Sequence, residues 1–357
     1  MDTGRGGPRF LGAISVAHGV GPGAGIASAT TTRIEAALDR VLAKVHALCG
    51  RLSATECLVL GKLLDAVRGH PLIGEAADAT AFEEADQHIP DEVKPSRRRG
   101  SEIARVVLRL AGQHDPPDDP DVPERAGEAL TPTLVDFVQA LDTEERLQFR
   151  ELVSNALGGL SPSGEIPRSP WHRAAWEAGV AALATTGACG AALFGRSTVV
   201  SDERFAALAA EADVQYWLAV RMGMRMTAPA GRIARAIGAD PELGALVSQA
   251  TKRHVTPGNG VTQDDNGTYL YYDAPGDGVQ PHIDPFGLIN ALVMIEHVLP
   301  GDGSDGSALV LHRPRGDMTR IPLTPGELVV LEGAGTVHSR ERMKPGERVV
   351  MLSLVFH

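Results

Sequence analysis

Apolar positions recur at three- and four-residue steps through Ile34, Leu38, Val41, Leu42, Val45 and Leu48. That spacing places them on one face of a helix. A second helix is predicted from Ser53. Ser53 and Glu56 have the separation of a capping box, in which each side chain satisfies an orphan amide of the first turn. Gly69 and Pro71 end it. A similar unit returns 89 positions later, where Leu141-Asp-Thr-Glu-Glu matches Leu52-Ser-Ala-Thr-Glu and Gly158 stands where Gly69 did. An internal duplication explains this, and so do two unrelated capped helices, since capping boxes are common. Between the two units lies a linker rich in proline and aspartate, Asp115 to Glu124, unsuited to a helix interior or a central strand. A loop from Gly158 to Pro170 closes the helical region.

The texture then changes. A helix is predicted over Ala174 to Ala184, followed by a small-residue apolar segment, Gly187 to Phe194. Further helices run from Ser201 to about Ala212 and near Pro241 to His254. After Asn266 the chain turns to short β-prone runs: Tyr269–Asp273, Ile289–His297, Ala308–His312, Glu327–Leu331 and Arg348–Phe356. Pro-Gly turns at Pro275, Pro300, Pro325 and Pro345 separate them. Short strands at this spacing indicate an antiparallel barrel or sandwich. The last run is apolar on both faces, so helices are expected to cover the outside of one sheet. The fold class is therefore α+β, with an all-α region in front of a β-rich one. Residues 1–30, rich in Gly, Ala, Ser and Thr, read as a flexible leader. Residues 31–165 read as a helical domain and 170–357 as the β-rich domain.

Composition narrows the function classes. The 357 residues carry 34 Lys+Arg against 45 Asp+Glu, a net charge of −11. This balance argues against nucleic-acid binding as the main role and against a polybasic membrane anchor. No run nears the roughly 18 apolar residues that span a bilayer. Three cysteines (Cys49, Cys57 and Cys189) without a CxxC give neither a disulfide framework nor a cysteine zinc site, and fit a reducing, cytoplasmic setting. Arg5 and Arg9 before Phe10–Ala17 look somewhat like a secretory signal. The run is short and His18 and several glycines follow it, so no signal is expected.

Candidate chemistry centres on His282-Ile-Asp284. On an extended segment, side chains two apart point the same way, so imidazole and carboxylate can grip one ion. The motif alone means little: composition predicts about 1.5 cases of His-x-Asp/Glu by chance, and one occurs. Position adds the information. His338 lies 54 residues on, after a Pro-Gly turn and the apolar run Leu328–Leu331. Two histidines and a carboxylate on one face of a metal leave three coordination positions open, the facial triad of non-haem Fe(II) oxygenases. Arg348 follows His338 by ten residues. A buried guanidinium needs an anion, and its fork suits a carboxylate such as the distal one of 2-oxoglutarate.

The last 90 or so residues resemble the 2-oxoglutarate/Fe(II)-dependent dioxygenases, near their prolyl-hydroxylase-like branch. The resemblance lies in Tyr272-Asp-Ala-Pro-Gly-Asp-Gly-Val-Gln-Pro-His282-Ile-Asp284, the run Asn290–Ile295, Gly306-Ser-Ala-Leu309, Ile321-Pro-Leu-Thr-Pro-Gly326, Val337-His338 and Gly346-Glu-Arg348 with the strand that follows. It extends loosely back to Ala181; residues 1–165 have no counterpart. It implies a C-terminal double-stranded β-helix, a cupin-like jelly roll flanked by helices. The metal ligands would be His282, Asp284 and His338, and the cofactors Fe(II), 2-oxoglutarate as co-substrate and O2, with ascorbate as a candidate reductant. Arg348 would pair the distal carboxylate and Tyr272 would border the co-substrate. Many members carry Arg-x-Ser on the final strand, but here Val350 occupies the serine position. Asn290 or Tyr272 would then complete the carboxylate site. The implied activity is oxidation with release of succinate and CO2. Related halogenases have Ala or Gly at the position of Asp284, so the carboxylate favours hydroxylation or desaturation over halogenation.

Other residues have plainer readings. His46, His70 and His88 belong to surface or core, His297 and His312 to strand ends, and His254 to a helix C-terminus, where positive charge suits the dipole. Trp171, Trp176 and Trp217 are expected as core anchors. Arg313, Arg315, Arg320, Arg340 and Arg342 read either as a solvated surface or as an entrance favouring an anionic substrate. Two alternatives to the hydroxylase remain: a non-catalytic cupin-like binding module carried by a helical interaction domain, and a zinc or iron cupin of another reaction type. The substrate would be a small molecule or peptide. A protein partner or a second copy of the chain is a candidate occupant of the helical domain.

Overall fold

The computed structural model describes residues 24–70, 102–110 in part, 119–184, 190–195, 199–257, 267–284 and 289–357. Among them, no helix is long and apolar enough to cross a membrane. The Cys189 and His88 readings fall outside the described residues, as does the leader up to residue 23.

Helix α1 (Ala24–Cys49) carries the predicted stripe: Leu38, Val41, Val45 and Leu48 are fully buried. It begins inside the expected leader, at Ala24, because extending a nucleated helix adds one hydrogen bond per residue fixed. Helix α2 (Ala54–Asp65) starts at the Ser53/Glu56 capping box and continues as a 3-10 turn to Gly69. Helix α3 (Val122–Ala140) has no counterpart in the sequence reading, which took its start as linker. Pro123 sits in the first turn, where a missing amide costs nothing. Pro132 lies inside the helix, beside a Thr131 hydroxyl that donates to the Gly127 carbonyl at 2.8 Å. Helix α4 (Thr143–Leu160) opens on the second capping box, Asp142/Glu145. Glu145 is also buried against α1, where Lys44 (2.5 Å) and Arg40 (3.1 Å) meet its carboxylate. Helix α5 (Pro170–Leu183) completes the layer. At Gly159 a Cβ would overlap the Ala66 carbonyl oxygen, so the close approach of α4 to the end of α2 requires glycine.

The C-terminal part holds two antiparallel sheets. In the larger, strands β1 (Ala191–Phe194), β9 (Leu328–Leu331), β6 (Ile289–Val298), β11 (Arg348–Phe356), β4 (Thr268–Tyr272), β3 (Arg225–Pro229) and β2 (Val220–Met222) lie side by side in that order. The smaller has the order β5 (Val279–His282), β10 (Val337–Arg340), β7 (Leu309–His312) and β8 (Met318–Ile321). From β4 onward, successive strands alternate between sheets except at β7–β8, which is the jelly-roll winding of a double-stranded β-helix. β2, β3, β5, β8 and β10 were not among the expected runs. Three of these make up most of the smaller sheet.

Three apolar clusters set the layers. Val349, Met351, Met294, Leu292, Leu309 and Leu311 fill the space between the sheets. Val350, Leu352, Leu354, Tyr269 and Tyr271 face outward beneath helices α6 (Asp202–Tyr216), α7 (Arg232–Gly238) and α8 (Pro241–Thr251), as the doubly apolar last strand required. Ile283 and Val337, on the outer side of the smaller sheet, join the core of helices α1 to α5. His312 is bound there too: Nε2 meets the Ser339 hydroxyl at 2.8 Å, and the ring stands edge-on to Trp176 at 5.2 Å. Trp176 is a core anchor as expected, but Trp217 is 86% exposed and anchors nothing.

Burial lowers the pKa of both His70 and His312 from 6.5 to about 4. In the unfolded chain each titrates near its ordinary value, so between those limits the unfolded state binds more protons. These two groups therefore lower stability as pH drops from about 6.5 toward 4, opposed in part by Glu151, whose carboxyl burial raises to about 7. Carboxylates with lowered pKa act in a lower window, beneath about 4. Urea unfolding at pH 7, 6 and 5 should show the decline, and His312→Gln should flatten it; an equal slope in that variant would contradict the assignment.

Candidate metal centre

Strands β5 and β10 pair with His338 directly opposite His282. The two imidazoles stand 4.4 Å apart, centroid to centroid. Asp284 follows β5 and reaches both: Oδ1 lies 3.5 Å from His282 Nε2, and Oδ2 lies 3.4 Å from His338 Nε2. One ligand atom from each of the three falls within 4.8 Å of the others. Among the described residues no other group of His, Cys, Asp and Glu side chains does so. The predicted triad is therefore assembled.

The surroundings orient each ligand. His282 Nδ1 lies 2.8 Å from the Gln280 carbonyl and His338 Nδ1 2.9 Å from that of Thr336. A carbonyl only accepts, so each Nδ1 carries the proton and each Nε2 presents its lone pair to the shared centre. Burial and the neighbouring His282 lower the pKa of His338 to about 4, which keeps it neutral and available as a ligand at pH 7. Burial opposes the charge on Asp284. His338 and His282 outweigh it and hold the carboxyl well below the usual carboxylate range. The Asp284 amide donates to the Gly333 carbonyl at 2.9 Å, and the Asn290 side-chain amide donates to Asp284 Oδ2. Asn290 thus braces a ligand in this structure, where the sequence reading had placed it at a co-substrate carboxylate.

Arg348 is not in this interior. Along β11, Val349 and Met351 point between the sheets, so Arg348 points out. There it pairs with Glu296 at 2.7 Å and lies over the Tyr216 ring of α6. The inward guanidinium is Arg340, two residues after His338 on the same face of β10. It is 4% exposed and sits 5.5 Å from the centroid of the Tyr272 ring. It donates to the Ser307 carbonyl and hydroxyl at 3.2 and 3.1 Å, while its Nε has no partner. Among the described residues no carboxylate lies within ion-pair distance of it. The sequence reading had grouped Arg340 with four other arginines as either a solvated surface or a substrate entrance; its period-two relation to His338 was the available signal.

A second residue went unnoticed in the sequence. Register pairs Met226 with Tyr271, which sets Arg225 beside Tyr272 on the inner side. Its charge is close enough to lower the pKa of both Asp284 and His338. Of the other clustered arginines, Arg320 pairs with Glu341 at 2.6 Å and Arg342 donates to the Gly276 carbonyl at 3.0 Å.

Several solved structures resemble the C-terminal half. The epimerase SnoN of nogalamycin biosynthesis, described as non-haem and α-ketoglutarate-dependent, has 17% identity and a TM-score of 0.39 over 47% of this chain and 77% of its own. A Pseudomonas putida prolyl-4-hydroxylase has 15% identity and a TM-score of 0.36 over 47% of this chain and 92% of its own. HygX from Streptomyces hygroscopicus, solved with nickel, 2-oxoglutarate and hygromycin B, has 11% identity and a TM-score of 0.37 over 47% and 82%. No protein-family model matches the chain, and no curated protein does. Overlap this slight leaves the chemistry to be read from the side chains themselves.

At Gly333 a Cβ would overlap Asp284 Oδ2 and crowd the Asn290 amide. Gly333→Ala should displace the carboxylate and weaken Mn(II) binding by about tenfold or more, the usual effect of disturbing a ligand's support. Metal titration against a thermal-melt control checks this; unchanged affinity would deny Gly333 a positioning role.

Proposed function

We propose that the chain is an Fe(II)- and 2-oxoglutarate-dependent oxygenase, hydroxylating an amino-acid residue, peptide or specialised metabolite with release of succinate and CO2. The observation that carries this reading is the convergence of three oriented ligands in the same interior as a buried, under-paired guanidinium. Two imidazoles and a carboxylate, all from one side, suit Fe(II) and leave adjacent positions free. Arg340 suits the distal carboxylate of a dicarboxylic oxo acid, because a buried guanidinium without a direct counter-ion gains most from an anion. Tyr272 packs against Arg340, and Arg225 adds a second positive group on the inner side. Such an interior favours a dianion.

When bound, the metal and the oxo acid would supply the oxidising chemistry with O2 as the second co-substrate. The residues of this chain do the rest. His282, Asp284 and His338 fix which side of the ion stays open. Gln280, Thr336 and Asn290 hold those ligands in position. Leu292, Met294, Leu311 and Met351 keep water from the interior. Asp284 would be a ligand at the position where the related halogenases have Ala or Gly, which favours hydroxylation or desaturation over halogenation.

The test is spectroscopic. Anaerobic addition of Fe(II) and 2-oxoglutarate should give a visible metal-to-ligand charge-transfer band, and His282→Ala should lack it. Arg340→Gln should weaken 2-oxoglutarate binding by about tenfold or more, the loss expected for a hydrogen bond to a charged group. Arg348→Gln should leave the band in place. No band in the wild-type protein would remove the proposal and leave a metal-binding module; a band abolished by Arg348→Gln alone would restore Arg348 to the site.

A further inference from the structure

The end of α2, the end of α4 and the loop before α5 enclose a cavity of about 590 Å3. Neither the triad nor the apolar cluster between the sheets contributes to its wall. Its size falls within the roughly 300–1,000 Å3 of small-molecule sites. Part of the wall is bare backbone. A Cβ on Gly69 would come within 3.2 Å of the Gly159 carbonyl oxygen, so two glycines keep side chains out where these segments meet. Leu160 and Pro167 add an apolar part.

The remaining wall is rich in positive charge. Lys62 of α2, Arg68 of the 3-10 turn and Arg168 before α5 line the cavity, together with His172 from the first turn of α5. Asp65 is the one carboxylate among the lining residues, and Arg68 holds it in an ion pair. Lys62 is half-buried, and neither it nor Arg168 has a hydrogen bond or ion pair among the described residues. Burial, and then the charge of Lys62, lower the pKa of His172, which leaves that imidazole neutral at pH 7. Three cations thus face one carboxylate, in a chain whose net charge is −11. A cleft lined by one sign of charge concentrates the opposite ion. The first turn of α5 adds donors: Ser169 makes no side-chain cap, so the Trp171 and His172 amides lack the partner that an N-cap supplies.

We infer that this cavity binds a phosphorylated small molecule, with the phosphate held by Lys62 and Arg168 and the organic part resting on Leu160 and Pro167. The excess of two positive charges matches a phosphate monoester, which carries about −1.5 to −2 near pH 7. Its three terminal oxygens accept from both cations and from the α5 amides together, where a carboxylate has only two. The site uses no residue of the metal centre and stands apart from the oxygenase reading.

The experiment titrates the full chain by calorimetry at neutral pH with phenyl phosphate, inorganic phosphate and benzoate. Phenyl phosphate should bind about tenfold more tightly than either of the others, because inorganic phosphate lacks the apolar contact and benzoate lacks the second charge. Lys62→Gln and Arg168→Gln should each weaken phenyl phosphate by about tenfold, the worth of one hydrogen bond to a charged group. Lys62→Arg, which keeps the charge, should retain most of the affinity. Arg340→Gln should leave it unchanged, which separates this cavity from the space between the sheets. Thermal melts of each variant control for folding. Failure of phenyl phosphate to bind, equal affinity for benzoate or inorganic phosphate, binding that survives both Lys62→Gln and Arg168→Gln, or loss in Arg340→Gln alone would each overturn the inference.

Discussion

Two short antiparallel strands, each four residues long, hold the centre together. Pairing in antiparallel register fixes which residues face each other, and a slip of one residue would send every side chain to the opposite face. Here the register sets His338 against His282. Asp284 then needs to reach only to the next turn to touch both. A one-residue shift of β10 would point Ser339 inward and His338 into the helical core. The outer side of the same strands opposes such a slip. Val337 is buried among the helices and Ser339 meets His312, so the helical region and the metal centre depend on one register.

This dependence gives the helical region a physical role beyond shielding. A four-stranded sheet of short strands has one face turned to the interior and needs its other face covered. Helices α4 and α5 supply that cover, through Ser154 at Ile283 and Trp176 at His312. The larger sheet is treated the same way by α6 to α8. Glu211 of α6 receives the Ile233 and Ala234 amides at the start of α7 and the Tyr269 hydroxyl of β4, at 2.6, 2.9 and 2.8 Å. Both sheets are thus clamped from outside by hydrogen bonds that link helix to strand.

Legibility in the sequence followed burial. Strands β4, β6, β9 and β11 of the larger sheet are mostly apolar and were recognised from composition alone, whereas β2 and β3 at its edge, which carry Arg221 and Arg225, were not. In the smaller sheet β5 and β10 carry Gln280, His282, His338 and Arg340 inward, and those polar residues hid them among the turns, while the apolar β7 was recognised. The triad was legible because its spacing is local at His282 and Asp284 and because His338 follows an apolar run. Arg348 was misplaced for a related reason: distance from His338 in sequence carries no information about face, and the alternation along β11 does. Arg340 obeys the shorter and stricter rule of two residues along one strand. Helix α3 stayed hidden because proline was read as a break, although its first turn tolerates one and Thr131 stands beside the other.

Charge is sorted across the site. With a net charge of −11, the chain has more carboxylates than cations, yet on the inner side Arg340 lies over the Tyr272 ring and Arg225 stands beside Tyr272 in register, and among the described residues Asp284 is the one carboxylate of the candidate metal centre. Glu347, the other carboxylate buried nearby, is taken up by the Ser307 amide and hydroxyl and by His297, at 2.6, 2.7 and 3.0 Å. Those bonds occupy its Oε1, and the Lys344 amide takes Oε2 at 2.9 Å. Glu347 therefore acts on Arg340 through Ser307 and does not neutralise it directly. Arg340 keeps an unpaired Nε in a space that excludes water, the condition under which a guanidinium binds a carboxylate most strongly relative to leaving it in solution. A surface arginine, as Arg348 proves to be, is already satisfied by Glu296 and has little to offer an incoming acid.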